Sequence, residues 1–77
     1  MEIIVNGKVQ QIPGDEILLL ELIKQNGVKQ PDMVSVQLNG SFVKKEDFQS
    51  TVVKDKNEVD FLYFMGGGKY LPYLIHS

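Results

Sequence analysis

Residues 58–68 read EVDFLYFMGGG, and the fold turns on where that stretch is placed. Alternate residues of an extended strand point to opposite sides, so Val59, Phe61, Tyr63 and Met65 share one side and Asp60, Leu62 and Phe64 the other. Both sides are apolar over much of the length, which marks a strand in the middle of its sheet rather than at its edge. Val59, Phe61 and Tyr63 are expected to face the core. The three glycines that follow, Gly66, Gly67 and Gly68, cannot fill a core and lose the most entropy when ordered, so they are expected to form a loop or to be wanted for their thinness.

Working outward, residues 2–5, EIIV, meet Asn6-Gly7, a pair that favours a two-residue hairpin turn because both positions need positive φ. The returning strand, Lys8 to Ile12, is read with Val9 toward the core and ends at Pro13-Gly14. Asp15 is placed as a helix N-cap, and EILLLELIKQN is read as one helix of about three turns, with Leu19, Leu22 and Ile23 on its buried stripe and Gly27 as its terminator. Met33 to Leu38 alternates as a half-buried strand, and a second Asn-Gly pair, Asn39-Gly40, turns the chain toward Phe42 and Val43. KKEDFQS is expected to be a loop or short helical turn that buries Phe48, TVV a short strand and KDKNE a turn.

The order is hairpin, helix, strand, short strand, long strand. With the long strand beside the first, the fold class is α+β: a ubiquitin-like β-grasp, with a mixed four- to five-stranded sheet, one main helix crossing one face and a flexible C-terminal tail. Residues 1–65 form the domain, and residues 66–77 form a flexible glycine tip and extension.

The chain has 77 residues, enough for one domain. It has no cysteine, which excludes disulfides, thiolate metal sites and a thiol nucleophile, and its one histidine is His76 in the tail. No Ser-His-Asp arrangement, paired buried carboxylates or metal cluster can be assembled, so the chain is not expected to be an enzyme or to bind a cofactor or metal itself. A formal charge of −2, with no arginine, argues against nucleic acid. There is no apolar run long enough for a membrane span and no signal peptide, so a cytoplasmic protein with no membrane contact is expected.

Three readings of the glycines compete. A phosphate-cradling loop needs a helix after the glycines, and here GGGK is followed by YLPYLIHS, with Pro72 interrupting any helix and no Ser or Thr after the lysine. A linker would join the last strand to a tail that is loose or docks back through Tyr70, Leu71, Tyr73, Leu74 and Ile75. A probe would present an extended tip, about 10 Å long, to a channel too narrow for side chains. Its terminal carboxylate would then be the reacting group.

The probe reading coincides with a resemblance. VNG at 5–7, ELI at 21–23, VQLNG at 36–40, EDF at 46–48 and KDKNEVDFLYFMGGG at 54–68 together resemble the ThiS/MoaD group of sulfur carrier proteins, and most closely the thiamine-type carriers. The likeness spans about 68 residues. Where members of the group carry DGDEVE, this chain has DKNEVD, so the turn glycine is missing and Asn57 is expected to supply the positive φ.

The resemblance implies a carrier rather than an enzyme, serving thiamine (thiazole) biosynthesis. A ThiF-type, E1-like enzyme using ATP and Mg²⁺ would adenylate the C-terminal Gly-Gly, a sulfur donor would convert it to a thiocarboxylate, and a ThiG-type thiazole synthase would take the sulfur. By that likeness Gly68 is the activated terminus, Gly66 and Gly67 form the threading tip, and Leu62, Phe64 and Met65 are candidates to dock on partners. Here residues 69–77 follow Gly68, so the resemblance also implies their removal, by a peptidase of the JAMM type. The alternatives are a carrier for molybdopterin or sulfur-amino-acid synthesis, and a non-catalytic β-grasp interaction module that is never trimmed.

Overall fold

A computed structural model of the chain describes residues 1–28, 34–66 and 69–72, with side chains through Tyr63. Strands β1 (Glu2–Val5) and β2 (Lys8–Gln11) form the opening hairpin. β3 (Glu16–Leu18) leads into the helix α1 (Leu19–Gln25), and β4 (Val34–Leu38) and β5 (Ser41–Val43) form a second hairpin. A 3₁₀ turn, Lys45–Asp47, precedes β6 (Val52–Lys54), β7 (Glu58–Gly66) and β8 (Lys69–Pro72). The main sheet runs β2-β1-β7-β4-β5, and β8 also pairs with β7.

β7 lies in the middle, parallel to β1 and antiparallel to β4, which makes the sheet mixed as its two apolar sides require. Val59 and Phe61 are fully buried, and Tyr63 packs against the same core. Leu19, Leu22 and Ile23 of α1 meet them there, together with Ile3, Val5, Val34 and Val36 from the sheet and Phe48 just after the 3₁₀ turn. One helix over one face of a mixed sheet is the expected β-grasp.

The helix is shorter than its sequence suggests. Glu16–Leu18 pairs antiparallel with β6 instead of forming the first helical turn, and Asp15 does not cap it. An apolar run such as EILLLELI suits strand and helix alike, and the pairing of Ile17 with Val53 and Leu18 with Val52 decides in favour of strand. No side chain caps α1. The carbonyls of Thr51 and Phe48 accept its first N–H groups, from Leu19 and Leu20 at 2.8 and 3.0 Å. At the other end Gly27 has φ +76°, with Gly27 N–H bonded to Lys24 O and Val28 N–H to Ile23 O. That left-handed residue closes the helix and turns Val28 inward.

Two further expectations are corrected. Val9 is 60% exposed, because the two-residue turn sets Val5 opposite Lys8 and Ile4 opposite Val9. Ile3 and Val5 own the core face, so Val9 shares the outer face with Ile4. In the turn after β6 the positive φ belongs to Lys56, at +69°, and not to Asn57. The Asn57 side chain instead accepts the Lys54 N–H at 2.7 Å, while Lys56 donates its N–H to Glu2 O and its ammonium to the Glu2 carboxylate at 2.9 Å. The Lys56 hydrogen bond and charge hold the Glu2 carboxyl below its ordinary value, and Glu2 in turn raises the lysine.

Asn6 links the opening turn to β7. Its N–H reaches Val59 O at 3.0 Å, and its side chain then continues the parallel ladder: Oδ1 accepts the Phe61 N–H at 2.7 Å and Nδ2 donates to Phe61 O at 3.3 Å. Asn6 also holds φ +49°, which asparagine tolerates better than most residues. Asn6→Ala is expected to destabilise the domain by about 2–3 kcal/mol, from two unpaired backbone groups and the left-handed alanine. Urea melts measure it, and a loss below about 0.5 kcal/mol would assign the ladder extension no energetic role.

Candidate functional site

The candidate site is the end of β7 from Leu62 to the glycines. Its placement is dictated by a strand too long for its neighbours. β4 covers one edge as far as Tyr63, while β1 covers the other edge only at Glu58 and Val59. β7 therefore runs past β1 and carries Gly66 to the end of the sheet.

Gly66 is the last residue of β7, so the first of the three glycines belongs to the strand rather than to a loop. Gly67 and Gly68 lie outside the described residues, as do the side chains of Phe64 and Met65. The backbones of both are in β7, where Phe64 pairs with Tyr70 and the register shifts between Phe64 and Gly66. A shift of this kind bends a strand and commonly ends its regular pairing. Of the expected docking residues, Leu62 is fully described: it is half-buried, opposite Ser35 of β4, on the face away from the core.

That outer face carries more apolar surface than the last strand alone suggests. Phe42, opposite Gln37, is 67% exposed, and Val9 and Ile4 lie on the same face, with Gln37 and Asp60 among them. Phe42 was signalled by its turn: a two-residue Asn39-Gly40 loop puts Ser41 opposite Leu38 and hence Phe42 opposite Gln37, an outward position. Among the described residues no three His, Cys, Asp or Glu side chains are grouped to hold a metal ion. Nor is any described helix long and apolar enough to cross a membrane.

Residues 69–72, expected in a loose tail, are placed as β8, antiparallel to β7, with Tyr63 opposite Leu71 and Gly66 opposite Lys69. The remainder of the extension, residues 73–77, lies outside the described residues.

A family model described as the ThiS family matches residues 3–68. The chain belongs to the ThiS family. The matched region begins in β1 and stops at the third glycine, so the family's part of the sequence ends where β8 begins. Among solved structures, the crystal structure of the thiamine biosynthesis protein ThiS from Geobacter metallireducens is 43% identical, with a TM-score of 0.80, and the match covers 88% of this chain and 100% of that one. An NMR structure of a thiamine biosynthesis protein from the same organism is 42% identical, with a TM-score of 0.73, covering 100% of this chain and 99% of that one. No curated protein gives a significant match. The ThiS family membership accords with the β-grasp order of strands.

Proposed function

We propose that this chain is a sulfur carrier in thiamine biosynthesis, active once residues 69–77 have been removed, with Gly68 as the group that is charged. The observation that carries the reading is the end of the family match at Gly68, directly after a strand that projects past its neighbour toward a glycine run. Hydrolysis of the Gly68–Lys69 amide adds water across the bond, leaving a carboxylate on Gly68 and an ammonium on Lys69. A peptidase of the JAMM type is the proposed agent.

A carboxylate is a poor electrophile. Attack of its oxygen on the α-phosphorus of ATP, with loss of pyrophosphate, makes an acyl-adenylate whose AMP is a good leaving group. Hydrosulfide then attacks the acyl carbon, AMP leaves with one of the original oxygens, the S–H proton is lost to solvent, and a thiocarboxylate remains. ATP and Mg²⁺ belong to the activating enzyme, of the ThiF type, and a ThiG-type synthase receives the sulfur. This chain contributes shape: a tip without side chains crowds neither the attacking sulfur nor the receiving pocket. The outer face, with Leu62 and Phe42, is the proposed docking surface, and Phe64 and Met65 follow Leu62 along the backbone of β7 as further candidates.

The test is to offer residues 1–68 to an activating enzyme with ATP and sulfide and to weigh the product. Among the described residues the buried core runs from Ile3 to Phe61, all of which the shortened chain retains. The paired β8 favours a second reading, an untrimmed interaction module. In that case Gly68→Ala leaves function unchanged and the full chain persists in cells.

A further inference from the structure

The exposed edge of β7 is filled in three consecutive pieces. β1 takes Glu58 and Val59, the Asn6 side chain takes the N–H and C=O of Phe61, and β8 takes Leu62 to Gly66. Successive residues of a strand turn their N–H and C=O groups to alternate edges, so Tyr63, like Phe61, faces this edge and meets Leu71. Leu62 faces β4 instead, and Pro72 stands opposite Leu62. The proline thus occupies a position where its missing donor loses no ladder bond. Its pairing ends where that of the Asn6 side chain begins, and the edge is divided without overlap.

The register also places the glycines. Gly66 is opposite Lys69, so two residues, Gly67 and Gly68, connect the paired strands. A chain enters a peptidase cleft or a narrow channel as an extended, unpaired segment. The residues that bracket the Gly67-Gly68 pair, Gly66 of β7 and Lys69 of β8, are paired with each other instead.

We propose that Lys69–Pro72 is an intramolecular latch: by completing the ladder along β7 it withholds the glycine tip from partners and from the trimming enzyme until β8 peels away. The latch rests on the carrier reading above. It also covers an edge that would otherwise be open to pairing with another chain. Four residue pairs at a sheet margin are marginally stable, so the latch opens far more often than the domain unfolds. Opening of β8, rather than unfolding of the core, sets access to the Gly68–Lys69 bond.

Amide hydrogen exchange on the full chain tests this with two substitutions at one site. Leu71→Pro removes the N–H that faces Tyr63, whereas Leu71→Ala keeps it. The Tyr63 amide is expected to exchange roughly tenfold more slowly in the wild type and in Leu71→Ala than in Leu71→Pro, the effect of one or two ladder bonds. The Phe61 amide, held by Asn6, is expected to be unchanged in all three. A Tyr63 amide that exchanges as fast in the wild type as in Leu71→Pro overturns the latch. That failure is distinguishable from failure of the carrier reading, because charging of residues 1–68 does not involve β8.

Discussion

Replacing Phe61 with alanine is expected to cost the domain about 3–5 kcal/mol. The ring is fully buried on the central strand, in a core shared with Leu19, Leu22 and Ile23 of the helix and with Val34 and Val36 of β4. Removing it deletes the largest fully buried side chain among the described residues and leaves a cavity that strands held on both edges cannot collapse to fill. A domain of this size has roughly 4–12 kcal/mol of total stability, so the variant is expected to be partly unfolded at room temperature or to melt at much lower urea. Leu62→Ala, one residue along on the outer face, is expected to cost under about 1 kcal/mol. A loss below about 1 kcal/mol for Phe61→Ala would mean that the strand's faces are reversed.

The second large effect concerns the tip. Gly67→Val in residues 1–68 is expected to leave urea stability unchanged and to slow charging by the activating enzyme at least about 100-fold. Gly67 comes after the last residue of β7 in sequence and after every residue of the described core, so a side chain added there is not expected to affect folding. A β-branched residue there widens the segment next to the carboxylate and displaces it from the reacting phosphorus. Displacement of about 1 Å is enough for a loss of that size. Initial rates of AMP or pyrophosphate release measure it, and an unimpaired Gly67→Val chain would exclude a channel that selects for thinness.

Much of this fold is written in local signals. The two-sided apolar pattern from Val59 to Phe64 placed β7 at the centre, and both Asn-Gly pairs form the expected turns, with φ of +49° and +81° at the first and +52° and +86° at the second. Gly27 ends the helix for the same backbone reason. What local signals miss is decided by distant partners. Glu16–Leu18 is a strand because Val52–Lys54 lies beside it, some thirty-five residues away in sequence. Lys56 takes the strained turn position because its N–H and ammonium both reach Glu2. Val9 points outward by register with Ile4, a consequence of turn length that alternation within one strand does not contain.

The candidate site divides in the same way. The glycine run and its likeness to sulfur carriers are visible as sequence, whereas the pairing of residues 69–72 is not, since it depends on β1 ending early and leaving an edge of β7 to fill. Phe42 falls between the two: its exposure follows from the Asn39-Gly40 turn once the core side of β4 is known.

The most direct test is an intact mass. Residues 1–68 and the full chain are incubated separately with a ThiF-type activating enzyme, ATP, Mg²⁺ and sulfide. The shortened chain should gain the mass difference of one oxygen exchanged for one sulfur, and the full chain, whose Gly68 carboxyl is tied up in an amide, should not change. A shortened, folded chain that never gains sulfur, or a full chain that gains it with Ser77 still attached, would contradict the assignment of Gly68 as the charged terminus.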